Sequence, residues 1–323
     1  MINDKDKEKN EMDYLNNYLD SDEKDSLQSD IGDIKKEITN MNKQNDNAEL
    51  GYLNVDISSL PLGIFYKPGT LIKIRAASVS EVQAYSVVDD RNIMDVTEKM
   101  NQLLSGCIKV LFPNGSMGSY KDIKDGDRMF LIFMIRELTF QQGNSIAKEV
   151  TCKYCTHDFK IPFRATSSQT IDGTFEKHEM SEKLGKYYNQ NIRAFEFDVE
   201  DAKYRLAPPT IGIQEIFFDN IKGKVQREQN PNVSFMKIIP YMLWDRSSIS
   251  DDGIKEKEQE FKRMNMKTFQ ILNQAVNLME FGLKGLKMKC PSCGEEVHTE
   301  MTFPDGASSL FVIPDFFENF DSE

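Results

Sequence analysis

Two short cysteine pairs constrain this chain more than any other feature: Cys152-Lys-Tyr-Cys155 and Cys290-Pro-Ser-Cys293. A Cys-x-x-Cys turn aims two thiolates at one point, and two such turns supply a tetrahedral four-sulfur site. Alternating stretches flank both pairs, Ala147–Val150 with Phe159–Phe163 and Leu286–Met288 with Val297–Phe303. Strand, knuckle and strand, repeated twice, is the layout of a ribbon closed by zinc. The pairs are separated by 134 residues (156–289), far more than the 15–20 of a compact ribbon. If they share one metal, everything between them is an insertion that returns to its starting point.

One structural zinc per chain, held by Cys152, Cys155, Cys290 and Cys293, is preferred over two separate sites and over no metal. A redox Cys-x-x-Cys needs a helix N-terminus after a strand, which neither pair shows. Disulfides are disfavoured because the N-terminal residues lack the apolar stretch of a signal peptide. A catalytic zinc is disfavoured as well, since four thiolates leave no open position for water. His157 and His298 follow the knuckles and are expected near the metal or in solvent rather than as ligands. The fifth cysteine, Cys107, falls on the apolar stripe of a helix and is expected in the core.

Charge divides the chain. The first 50 of 323 residues carry 14 acids and 7 bases, a net −7 out of −12, with eight Asn and no Phe, Trp, Val or Pro. Such a segment buries too little apolar area to offset the entropy of ordering it, so residues 1–49 are expected to be disordered. Met12, Leu15, Tyr18 and Leu19 recur at helical spacing within it, a pattern that suits docking on a partner. The longest apolar run, Met129–Ile135, has seven residues, against about 20 for a membrane span.

From Leu50 onward the pattern implies an α+β protein. A mostly helical N-terminal domain with short strands (50–145) precedes a mixed domain closed by the four-cysteine ribbon (146–310, insertion 156–289) and an aromatic, acidic tail (311–323). Ser78 and Glu81 have capping-box spacing for a helix to about Val88. Asp95 is the expected cap of a second helix, to about Val110. Asp122, Asp125 and Asp127, with Gly126, read as a turn and cap for an apolar helix through Leu138. Phe195–Val199 and Ala202–Leu206 predict a hairpin, and Thr210 the cap of a helix ending at Gly223. One long helix is expected from Asp252 to Phe281. Phe311, Phe316, Phe317 and Phe320, set among acids, are candidate partner-binding residues. No nucleophile elbow, phosphate loop or dinucleotide fingerprint occurs, and there are three His, so an enzyme is not expected.

The order of these features resembles the baseplate hub and hub-assembly proteins of contractile-tailed bacteriophages, the T-even baseplate family. The residues concerned are Met134-Ile135-Arg136-Glu137-Leu138, the first knuckle, Leu206-Ala207-Pro208-Pro209-Thr210-Ile211-Gly212, the second knuckle, and Phe303 through Pro314. The likeness spans about Ser59 to Asp315. It implies a structural role through binding other baseplate or hub proteins. The setting would be the host cytoplasm during assembly and, if the protein is retained, the virion tail baseplate, where a symmetric assembly suits an oligomer. The alternative is a zinc-ribbon accessory protein that binds nucleic acid, suggested by Lys148, Lys153, Lys160, Lys284, Lys287 and Lys289 near the knuckles. The acidic balance and the absence of a basic run interleaved with aromatics disfavour nucleic acid.

Overall fold

A computed structural model describes residues 51–140, 147–162, 175–177, 179–200, 202–227, 232–243, 251–279, 282–300 and 306–311. Strands β1 (Leu53–Val55) and β2 (Leu71–Ile74) open an antiparallel sheet. Two single-turn 3-10 segments, Ile57–Ser59 and Gly63–Phe65, occupy the chain between them. Helix α1 (Val79–Ser86) starts at Ser78 with the expected capping box: Ser78 accepts from the Glu81 N–H while Glu81 accepts from the Ser78 N–H.

Helix α2 (Ile93–Cys107) starts earlier than Asp95. Asn92 caps it, its Oδ1 accepting the Met94 and Asp95 N–H groups, while the Asp95 carboxylate accepts the Asp89 N–H at 2.7 Å. At Cys107 the apolar period changes from 3.6 to 2. Ile108 and Val110 point inward and Lys109 and Leu111 less so, and the chain enters β3 (Ile108–Leu111) without a turn. Strand β4 (Met117–Gly118) completes the sheet in the order β1-β2-β3-β4.

Helix α3 (Arg128–Thr139) buries every residue from Phe130 to Arg136. The segments that follow in order are β5 (Ala147–Thr151), β6 (Asp158–Pro162), β7 (Phe175–Lys177), the single turn α4 (Glu182–Gly185), β8 (Tyr188–Asn189), β9 (Ala194–Val199) and β10 (Ala202–Leu206). The expected hairpin forms between β9 and β10 with Phe197 opposite Tyr204. Helix α5 (Ile211–Gln226) is capped by Thr210 as expected and continues through Gly223. Its Gly212 belongs to the Pro-Pro-Thr-Ile-Gly motif, and a Cβ there would lie 2.9 Å from the Lys121 Cβ and 3.1 Å from the Lys121 carbonyl oxygen. Only glycine lets the helix approach that turn so closely.

Two short helices, α6 (Val233–Met236) and α7 (Ile239–Met242), follow. The single long helix expected from Asp252 is instead two, α8 (Asp251–Arg263) and α9 (Met266–Leu278). Asn265 breaks it by taking an extended conformation and accepting the Thr268 N–H at 2.8 Å, a cap inside what reads as continuous periodicity. Strands β11 (Leu283–Lys289) and β12 (Glu296–Glu300) form a sheet in the order β12-β11-β7.

The division at residue 145/146 is not kept. One apolar cluster joins Ile72, Ile74, Leu104 and the α3 residues to Ile161, Phe175, Leu286 and Phe311 from beyond it. A second cluster gathers Phe195, Phe197, Phe217, Leu272 and Val276, and draws in Leu62 and Phe65 from the N-terminal side. The described residues from Tyr52 on belong to one unit. The cause is α3: apolar all round, it needs cover on every side, and the N-terminal strands and helices supply only part of it. Phe311 corrects a second expectation. It is 1% exposed, packed edge-on against Tyr85 at 5.0 Å, with the Leu310 carbonyl held by buried Arg136 at 2.6 Å. It is a core residue rather than a partner-facing one. Phe316, Phe317 and Phe320 lie outside the described residues.

Candidate metal centre

The hairpin β5–β6 carries the first knuckle at its tip, and β11–β12 carries the second. The two turns share one backbone design. In the first, the Cys152 N–H donates to the His157 carbonyl at 2.9 Å and the Thr156 N–H to the Cys152 carbonyl at 2.8 Å. In the second, the Cys290 N–H donates to the Glu295 carbonyl at 2.8 Å and the Gly294 N–H to the Cys290 carbonyl at 2.9 Å. The residue after the second cysteine is left-handed in both: Thr156 at φ 59° and Gly294 at φ 77°. Glycine suits that conformation, whereas a threonine is strained in it.

The knuckles bring all four sequence-predicted ligands together. Their sulfur atoms lie within 4.8 Å of one another. Cys152 Sγ stands 3.7 Å from Cys293 Sγ, and Cys155 Sγ 3.6 Å from Cys290 Sγ. These spacings exceed a disulfide bond of about 2.05 Å. They match the edge of about 3.8 Å of a regular tetrahedron with metal–thiolate arms of about 2.3 Å. Four thiols at this separation are compatible with a single structural metal. Cys152 and Cys290 are buried beside Val297, Val150 and Phe159, while Cys293 is exposed.

Burial raises the Cys152 thiol, but the Tyr154 and Cys155 N–H groups and the neighbouring thiols bring it down to about 7. Cys293 moves the other way. The Glu295 N–H lowers it, but burial and hydrogen bonds with the other three thiols push it up to about 12. A cluster that resists losing its last protons is what a dication would relieve.

Neither histidine joins the cage. His157 stacks near Phe159, and His298 bridges Glu176 and Glu296 at 3.0 Å each. Several lysines of this region are engaged: Lys148 with the Glu300 carbonyl, Lys160 with Glu149 and Lys284 with Glu176. Cys107 is buried on α2, its thiol raised to about 12 chiefly by burial. Among the described residues, the four cysteines are the one cluster of His, Cys, Asp or Glu arranged to hold a metal.

A second polar centre was not foreseen. Asp127, expected as a helix cap, makes no capping bond. It is fully buried and accepts the Leu62 N–H at 2.9 Å and the Tyr66 hydroxyl at 2.8 Å. The Tyr66 oxygen accepts the Lys124 N–H at 2.9 Å, and the Lys124 ammonium donates to the Pro208 carbonyl at 2.9 Å. The Ile211 N–H and Asp125 N–H close the same junction onto Ile123 and Pro209. Three remote segments, 62–66, 123–127 and 208–211, therefore meet around one carboxyl group where the two apolar clusters adjoin. Burial raises Asp127 to about 7, although Tyr66, Leu62, Lys124 and Lys177 all favour its charged form. Burial likewise lowers Lys124 to about 8, with Asp127 opposing. The available signal was the pair of junction segments themselves, Lys124-Asp125-Gly126-Asp127 and the Pro-Pro-Thr motif, but nothing in either names the other.

No described helix is long and apolar enough to cross a membrane. A broad cleft of about 960 Å³ lies between residues 55–71 and 177–193, with Asp56, Lys67, Lys177, Glu179 and Arg193 among its lining residues. Comparison of the chain with known protein families, with characterised proteins and with solved structures gives no match.

Proposed function

We propose that this protein is a structural component of a contractile phage tail baseplate, at its central hub, or a factor needed for hub assembly. In this reading it works by binding other proteins. The observation that carries it is the closed four-thiol cage. It ties residue 152 to residue 293 and leaves no open coordination position, as suits a metal that holds a scaffold. The metal in this reading is one zinc ion per chain, preferred because four thiolates in tetrahedral array suit zinc. The resemblance of the knuckles, the Arg136 helix and the Pro-Pro-Thr-Ile-Gly turn to hub proteins supplies the setting, first the infected host's cytoplasm and then the tail.

The nucleic-acid alternative draws on six lysines, and three of them already bond acceptors within the fold. The test is recovery of the tagged chain from phage-infected cells together with mass spectrometry of purified virions. Baseplate or hub proteins should co-purify in defined ratio. Their absence from the eluate, with salt-dependent binding to DNA or RNA instead, would overturn the proposal.

A further inference from the structure

The broad cleft between residues 55–71 and 177–193 has walls that are fastened to each other. The Lys177 ammonium of one wall donates to the Ser59 carbonyl of the other, and the Tyr188 hydroxyl donates to the Ile64 carbonyl at 2.8 Å. Tyr188 also meets Phe65 edge-on, with ring centroids 5.5 Å apart. The 55–71 wall is anchored again where the Leu62 N–H and the Tyr66 hydroxyl donate to buried Asp127. A hollow of about 960 Å³ bounded in this way is preformed, so a ligand entering it need order little of the protein.

The lining leaves apolar and cationic groups uncovered. Ile64 is 51% exposed and Leu71 41%, although Leu60 and Phe65 of the same wall are buried. Asp56 is turned to its own loop, where its carboxylate accepts the Ser58 N–H at 2.9 Å and the Ser58 hydroxyl at 2.7 Å. Lys177 is engaged with Ser59 and lies over the Phe130 ring at 5.3 Å. Lys67 on one wall and Arg193 on the other have no carboxylate partner among the described residues. Arg193 is also left-handed, at φ 54°, with its N–H bonded to the Asn189 carbonyl at 2.8 Å. Backbone strain of this kind recurs where a side chain clamps a ligand. We propose that the cleft receives an extended segment of a partner protein, with large apolar side chains against Ile64 and Leu71 and two acids facing Lys67 and Arg193. A lipid or other single-headed amphiphile would satisfy one cation and leave the second unpaired. The volume, at the upper end of the range for compact ligands, likewise suits a length of chain. The proposal rests on the reading of the protein as a binder of other proteins, and specifies the chemistry of one partner segment.

The test uses the full, metal-loaded chain with no other protein present. A bead-bound library of random heptapeptides is screened against it, and the strongest binder is resynthesised for calorimetry. Recovered sequences should carry at least two Asp or Glu together with large apolar residues. Lys67→Glu with Arg193→Glu should leave the melting curve intact and weaken that peptide at least about tenfold. On rescreening, the same variant should favour Lys and Arg in place of acids. Ile64→Ser, at an exposed position, should weaken the peptide as well. Lys222→Glu with Lys262→Glu makes the same change of charge at exposed positions outside the cleft and should leave the affinity unchanged. Recovery of no binder, binders without acids, or an affinity indifferent to the cleft substitutions would each overturn the proposal. So would equal sensitivity to the outside pair, or displacement of the peptide by dodecanoate at lower concentration than the peptide itself. Failure of the screen leaves the baseplate reading standing, and failure of co-purification leaves the cleft's preference for acidic peptides standing.

Discussion

The cysteine cage and the Asp127 junction both hold together stretches of chain that are distant in sequence, and they do so by opposite means. The cage gathers four identical groups from two copies of one turn, partly open to solvent. The junction gathers one carboxyl, one phenol, one ammonium and several backbone groups from three unlike segments, all inside the fold. In the first, most of the specification is local: a knuckle needs its two cysteines three apart and a left-handed residue next. In the second it is relational, since Asp127 has a role only once Leu62 and Tyr66 have arrived. Four thiols gain little from proximity without a cation, whereas the junction is satisfied by protein atoms alone.

The largest effect should come from breaking the cage. Cys152→Ser should abolish stoichiometric metal binding and lower the melting temperature by about 10 °C, reflecting a loss of at least about 3 kcal/mol. Metal content and calorimetry on the same sample check this. Asp127→Ala should follow, at about 2–4 kcal/mol, because it leaves the Leu62 N–H and the Tyr66 hydroxyl buried without an acceptor. Its metal content should stay at the wild-type value, which separates the two centres by experiment; denaturant unfolding with parallel metal analysis would show it.

The junction also makes a pH-dependent prediction of its own. Asp127 holds its proton in the fold to about pH 7, whereas in the unfolded chain it loses it near pH 4. The neutral group is therefore favoured by folding, and this contribution, complete below about pH 4, is lost as pH rises through 7. Asp127→Asn cannot titrate, so the stability advantage of the wild type over this variant should shrink between pH 5 and pH 7.5. Lys124 remains in both proteins. A gap that stays constant over that range would contradict the assignment.

The smallest effect concerns the difference between the two knuckles. Gly294→Thr should cost about 1 kcal/mol, because it places a branched residue where φ is 77°. Thr156→Gly should gain at most about 1 kcal/mol, since relief of the left-handed strain is partly offset by glycine's freedom in the unfolded chain. Equal and opposite shifts would show that the two turns are energetically interchangeable.

How much could be read in advance follows the same division. The two cysteine knuckles, the capping box at Ser78, the β9–β10 hairpin and the cap at Thr210 were legible because each is written within a few adjacent residues. The helix at α2 began three residues early because Asn92 outcompeted Asp95 as its cap. The break at Asn265 was hidden because Phe261, Met264, Leu272 and Val276 keep an apolar period across it, while one side chain bond to Thr268 decides the geometry. The domain boundary failed for a tertiary reason. The demand of α3 for cover on all sides is visible in its composition, but which segments meet that demand is not. Phe311 shows the same limit, since an aromatic among acids looks exposed until Tyr85 and Arg136 are seen to receive it.

The central claim is that one metal, held by all four cysteines, clasps residues 152 and 293. X-ray absorption at the zinc edge on the purified, folded full-length chain tests it most directly. One zinc per chain with four sulfur neighbours at about 2.3 Å is the predicted result. A folded protein free of metal, or a zinc shell containing nitrogen or oxygen in place of sulfur, would contradict it.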